Sequence, residues 1–288
     1  MSGSLTYAYA VVRPSATLEA EALAGMPGVA GGPVGLVRSG DLAAAVGEVP
    51  AEEFSEVGLR RRLEDLDWLE VTARAHHAVV EALAAHTTVL PLRLATVYLD
   101  RTRVAGMLTE RAETFAALLD RLADHEEWGV KVYAEPPPPD TGAAGPGGSG
   151  PGGAGATGNE AAGNGAAGAA DAPGAGRAYL RRRRHQRRSR EESWAAAEEA
   201  VRRIEAHVRD LAPQRARHRV QQGGTAEGGG ENVANDAYLV PRGAVDEFRQ
   251  RVRQATDGLP GVRVDVTGPW APYSFATPPT AQQGVRQR

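Results

Sequence analysis

The chain contains no cysteine, which removes disulfides, thiolate nucleophiles and every cysteine-based zinc or iron–sulfur centre. Lysine is almost as scarce, since Lys131, inside the apolar stretch Val130–Val132, is the one example. A phosphate-loop or Schiff-base lysine needs its ammonium on a suitable loop or in a site of its own, so both readings fall away. No stretch approaches the ~20 consecutive apolar residues of a membrane-spanning helix. The N-terminus has no basic segment leading into an apolar run, so a cytoplasmic location is the expectation. The formal charge is only -3, which gives no global attraction to nucleic acid or anionic lipid and leaves any basic function to a local patch.

What is present suits two modest domains, because 288 residues is ample at roughly 100–200 residues per domain. From Pro136 to Ala178 there is no Val, Ile, Leu, Met, Phe, Trp or Tyr. Such a segment cannot bury enough apolar surface to offset its ordering entropy. A disordered Gly/Ala/Pro-rich insertion is therefore expected at 136–176. Within it, Gly153-Ala154-Gly155-Ala156-Thr157-Gly158 matches the dinucleotide fingerprint by letter. It lacks the strand before and the helix after that the fingerprint needs, so no cofactor is inferred.

Alternation in Leu5–Val12 predicts a strand, stopped by Pro14-Ser15, and Ser15 is placed to cap a short helix ending near Gly25. Val34–Val37 and Leu42–Val46 read as strands joined by a Ser39-Gly40-Asp41 turn. One long helix is expected from Glu56 to Ala85, then an extended run from Thr88 to Leu94. The order βαββαβ is the split-βαβ pattern of ferredoxin-like domains. On the long helix, Leu59, Leu63, Leu66, Leu69, Ala73, Val80 and Leu83 share a face expected to lie on the sheet. Trp68, Thr72, Ala75, Val79 and Ala82 form a second stripe that needs a partner, either the second domain or another protein. Trp68 is placed at the interdomain seam.

Further on, Val104 to Leu122 predicts helix and Trp128–Ala134 a strand. After the insertion come a helical stripe from Trp194 to Leu211, a strand at Ala237–Val240, a helix at Val245–Ala255 and a strand at Val262–Val266. The second domain is thus also α+β, a modified ferredoxin-like unit. The boundaries expected are 1–98 for the first domain, 99–279 for the second and 280–288 for a flexible tail.

Chemistry-bearing clusters are sparse. His76 and His77 point about 100° apart on the helix and cannot share a metal as an i, i+4 pair could, so partly buried, hydrogen-bonded histidines are expected. Glu70 and Arg74 at i, i+4 mark a solvated, salt-bridged face in place of paired catalytic carboxylates. Arg181, Arg182, Arg183 and Arg184 open a basic run reaching Arg188. That run fits a solvated helical face, an acidic protein partner or nucleic acid. The string Thr267–Phe275 is dense in aromatics and proline outside any regular element. It must pack back on the protein or present an anchor, because free aromatics make a sticky patch.

That string resembles the GvpL/GvpF family of gas vesicle proteins. So, in order and spacing, do TTVLPLRLATVY (Thr87 to Tyr98), LEDLDWLEVTARAHHAVVEAL (Leu63 to Leu83), EWGVKVYA (Glu127 to Ala134) and AYLV (Ala237 to Val240). Ala271 stands where the family tends to have a proline, and the polar run Gly228–Asp236 predicts a strand beginning only near Ala237. The resemblance implies two α+β domains and a non-enzymatic minor component of gas vesicle formation. Its expected partners are the small hydrophobic shell protein and other accessory proteins, with neither nucleic acid nor membrane among them. Trp270, Pro272, Tyr273 and Phe275 are expected to stabilise the second domain and border the partner surface. A regulatory ferredoxin-like module binding a small ligand or RNA is the alternative.

Overall fold

The computed structural model describes residues 3–15, 17–135, 175–220 and 230–277. Most of the expected insertion, the glycine motif at 153–158 and the tail at 280–288 lie outside these residues.

Strand β1 (Ser4–Val12) is central because its residues are apolar on both sides, and both sides are covered. It pairs antiparallel with β3 (Leu42–Pro50) and β4 (Val89–Pro91), and β2 (Val34–Ser39) pairs with β3 to give the order β2-β3-β1-β4. The short β5 (Val97–Tyr98) adds to β1. A bulge between Ala8 and Ala10 shifts the register. It lets Tyr7, Tyr9, Ala10 and Val12 join one core while Ala8 and Val11 join another, as an extra residue reverses the alternation beyond it. This is the strand order of a split-βαβ unit, with the first helix reduced to a short π-helical turn at Glu19–Leu23. Ser15 does not cap that turn; Leu18 precedes it without a side-chain bond.

A short helix α1 (Ala51–Phe54) precedes the expected long helix, which is itself two pieces, α2 (Glu56–Arg62) and α3 (Leu66–Ala84). Ser55 caps α2, and Asp65 begins α3 by accepting from the Trp68 N–H at 3.1 Å. Each cap restarts the helical phase, so a face projected through the break is wrong. Leu63 and Leu66 are 49% and 75% exposed, whereas Thr72, His76, Val79, Val80 and Leu83 make the buried face. The buried face combines Val80 and Leu83 of the stripe expected on the sheet with Thr72 and Val79 of the other stripe, and adds His76. Trp68 is not at the seam. Its ring lies 5.4 Å from Phe54 and its indole N–H donates to Glu53, all within the first domain.

Helices α4 (Arg101–Glu110) and α5 (Ala112–Leu122) cover the opposite face of this sheet. Asp100 caps α4 by accepting from Arg103 N–H. The chain then repeats the first architecture: β6 (His125–Ala134), α6 (Ala175–Val208), β7 (Arg215–Arg217), β8 (Glu231–Pro241), α7 (Val245–Ala255) and β9 (Val262–Trp270). Their order is β7-β8-β6-β9, again a split βαβ. Strand β8 begins at Glu231, six residues before the expected start at Ala237, because its polar half pairs along β6 through Asp236↔Val130 and Asn235↔Lys131. Backbone pairing outweighs the poor strand propensity of Asn and Asp there. Helix α6 takes in Ala175 and Gly176, so the insertion ends earlier than expected.

The third core sits between this sheet and α6 and α7, with Val130, Val132, Ile204, Val208, Phe248 and Val252 at its centre. The second sheet's other face gives Ala237 and Leu239 to the core built on α4 and α5. Those two helices are therefore shared by both domains. Replacing the half-buried Trp68 by Ala is expected to lower the unfolding free energy by about 2 kcal/mol, below the range for fully buried aromatics. Chemical denaturation checks it, and an unchanged midpoint would contradict the packing on Phe54.

Candidate functional site: the seam between the two domains

Near the end of β9 the backbone turns sharply at Gly268, whose φ is +142°. An added Cβ there would lie 3.0 Å from both the Glu127 carbonyl oxygen and the Trp128 ring, so only glycine suits the position. The turn sends Ala271–Phe275 back across the first domain as a strap. Ala271 and Tyr273 pack on the first core, and Phe275 inserts into the core of α4 and α5. Arg121, on α5, donates to the carbonyl oxygens of Phe275 and Thr277.

The strap is fastened by one buried carboxylate. Glu127 of β6 accepts from the Ser274 N–H at 2.8 Å and from Ser274 Oγ at 2.6 Å. Burial pushes its carboxyl up, and the bonds to Ser274 pull it back down. His218 Nε2 lies 3.0 Å from Ser274 Oγ. A hydroxyl that donates to the carboxylate can only accept from the imidazole, so His218 is not placed as its base and the three groups together tie the serine in place.

Beneath the strap is a polar pocket in the first core. Tyr7 Oη accepts from the Ala95 N–H at 2.9 Å and shares a 3.0 Å hydrogen bond with His76 Nδ1. The His76 ring is 6.2 Å from that of Tyr273. Burial lowers the His76 pKa to about 4, and the Tyr7 and Tyr273 phenols are raised well above their ordinary value by the same cause. Next to it His77 stacks near Tyr273 and Trp270, at 6.0 and 5.8 Å, and pairs with Glu81. Of the two histidines expected to be partly buried, His76 is fully so and His77 lies at the edge.

Where the strap leaves β9, a cleft of about 530 Å³ opens between the domains, lined by Glu81, His86, Asp124, His125, Arg242 and Trp270 among others. His86 Nδ1 faces the Ala82 carbonyl at 2.9 Å and His125 Nδ1 the Ala123 carbonyl at 2.6 Å. A carbonyl only accepts, so each neutral ring carries its proton on Nδ1 and offers Nε2 as an acceptor. Among the described residues no three histidine or acidic side chains are spaced to hold a metal ion. Trp270 stands at the lip, 44% exposed, although Pro272 and Phe275 are buried.

The family described as "Gas vesicle synthesis protein GvpL/GvpF" matches residues 5–277. The chain belongs to the GvpL/GvpF family. Gas vesicle protein L of Streptomyces sp. (strain CB03234) is 45% identical over 273 residues, which cover 94% of this chain and 92% of that one. The crystal structure of GvpF from Anabaena sp. PCC7120 superposes with a TM-score of 0.57 at 17% identity, over 96% of this chain and 97% of the other. GvpF from Microcystis aeruginosa gives 0.56 at 13% identity, over 95% and 99%. These two likenesses concern the fold alone. No helix among the described residues is long and apolar enough to cross a membrane.

Of the residues singled out from sequence, the seam brings together Trp270, Pro272, Tyr273 and Phe275. It does not include Trp68, nor Arg181, Arg182, Arg183 and Arg184, which lie exposed on α6. The strap holds the second domain to the first, a different task from stabilising the second domain alone. Glu127, Ser274 and Arg121 were missed. The signal at Glu127 was slight: it is one of two adjacent carboxylates that open the strand, beside Trp128.

His76 makes the seam sensitive to acid. In the unfolded chain its imidazole titrates near 6.5, against about 4 when folded. Between those values the unfolded chain binds more protons, so this contribution is complete above pH 6.5 and is lost as pH falls through the window. The gap corresponds to about 3 kcal/mol. Glu127, whose pKa is raised, works in the opposite direction. Unfolding free energies measured from pH 7 to pH 4 should therefore fall less steeply in His76→Gln than in the unsubstituted protein. Equal slopes would refute the assignment.

Proposed function

We propose that this protein is a non-catalytic accessory factor of gas vesicle assembly, working in the cytoplasm and at the growing vesicle. It holds the small hydrophobic shell protein at the seam cleft, and other accessory proteins are its further partners. The observation that carries this reading is Trp270, left half-exposed at the cleft lip while Ala271, Pro272 and Phe275 around it are buried. A large aromatic held on an immobilised backbone is a binding anchor that loses little entropy on contact. A subunit that polymerises into a wall exposes apolar edges before it is incorporated, and such edges aggregate unless held. The acceptor-rich lining adds a requirement for donors beside the apolar contact. Tyr133, the aromatic of β6 best placed for stacking a base, lies instead under the Arg263 guanidinium, 3.9 Å from its ring centroid.

Trp270→Ala should lower the melting temperature by a few degrees and leave the chain folded, since the buried part of the ring packs beside His77. It should weaken capture of the shell protein by roughly thirtyfold, the equivalent of about 2 kcal/mol for a central aromatic anchor. Co-purification from assembling cells and a titration with solubilised shell protein both read this. Undiminished capture by the variant, or failure of the native chain to associate with the shell protein at all, would overturn the proposal.

A further inference from the structure

The Arg-rich start of α6 takes no part in the seam. Arg187 and Arg188 pair with Glu191 and Glu192 one turn on, and Arg190 pairs with Glu231. Arg181, Arg182, Arg183 and Arg184 are exposed and have no carboxylate partner among the described residues. Neighbouring guanidinium groups repel one another. An anionic surface laid against this end of α6 would relieve that cost.

The face is also apolar. At 3.6 residues per turn, Leu180, Arg183, Arg184, Arg187 and Trp194 lie on one side of α6. Leu180 is 55% and Trp194 37% exposed. Trp194 sits in a shallow groove of about 410 Å³ with Ala195, the ion-paired Arg187, Glu191, Arg190 and Glu231, and Glu198, so the unpaired positive charge lies in the preceding turns. The occupant must therefore combine carboxylates with exposed aliphatic side chains.

The same chain carries such a surface on its other domain. At the elbow between α2 and α3, Val57, Leu63, Leu66 and Val71 are 63%, 49%, 75% and 64% exposed. Arg60 and Arg62 are bound to Glu56, Glu53 and Asp65. Among the described residues this leaves the carboxylates of Glu52, Glu64 and Asp67 without ion pairs, against the single guanidinium of Arg61. Helix α6 packs on β6, β8, β9 and α7, whereas the elbow belongs to the first sheet's helical layer.

We propose that the basic face of α6 in one copy docks on the acidic α2–α3 elbow of the next, so that this protein self-associates head to tail. Two unlike patches make a heterologous contact, which repeats into a ring or an open row. The inference is independent of the shell-protein reading, because neither patch borders the seam cleft.

Charge exchange tests it with the full-length protein. One variant carries Arg183→Glu, Arg184→Glu and Arg187→Glu; the other carries Glu64→Arg and Asp67→Arg. All these side chains are exposed, and circular dichroism verifies that each variant folds. In sedimentation velocity the native chain should gain mass with concentration, less so at high salt. Each variant alone should associate at least on the order of tenfold more weakly, and an equimolar mixture should recover association, since acidic α6 then meets a basic elbow. Trp194→Ser supplies a readout that leaves the charges alone and should also weaken the contact.

A native chain that stays monomeric up to its solubility limit would overturn the proposal, as would variants that associate like the native chain. Failure of the mixture to recover would show that the two patches do not meet. Poly-uridine RNA is titrated in parallel: binding that the α6 variant abolishes, in a chain that does not self-associate, would assign the face to nucleic acid instead.

Discussion

One carboxylate, Glu127, holds the architecture together. It sits in the first strand of the second sheet, yet its two acceptor oxygens are spent on Ser274, in a segment that lies across the first domain. A buried carboxylate is costly unless its oxygens are satisfied, and here the hydroxyl and amide of one residue satisfy it. With Ser274 fixed, Ala271 and Tyr273 reach one core and Phe275 another. The helices α4 and α5 then act as common flooring for two split-βαβ units that would otherwise meet only through a linker.

Much of the fold was legible because it rests on local patterns. The alternation in Leu5–Val12 and the apolar run Leu42–Val46 marked strands, and the order of the elements gave the first βαββαβ unit. The long helix misled because its apolar residues fit one phase only if the chain is helical throughout. Ser55 caps its start, but Asp65, an equally evident cap residue, breaks it and begins a second helix, and the stripe of Leu63 and Leu66 turns outward. The polar half of β8 was hidden for the converse reason: its strand character comes from pairing with β6, which no local window contains.

The site was legible in outline and opaque in detail. A dense aromatic and proline string could be seen to need burial or a partner, and Ala271, Pro272 and Phe275 are buried, with Trp270 left 44% exposed. That it would cross to the other domain depended on Glu127 and Arg121, more than a hundred residues away in sequence. Family membership supplies the biological setting, and the structure adds a seam strapped across two domains and a cleft beside it lined by Glu81, His86, His125, Arg242 and Trp270. The basic and acidic faces stand apart from that seam and would let copies be arrayed without blocking it.

The central claim is that the strap makes two similar units unfold as one. Calorimetry of the full chain beside a version ending at Trp270 tests it most directly. The account predicts a single cooperative transition for the full chain and two separate transitions, the first at lower temperature, for the shortened one. A shortened chain that still melted in one step at the native temperature would contradict it.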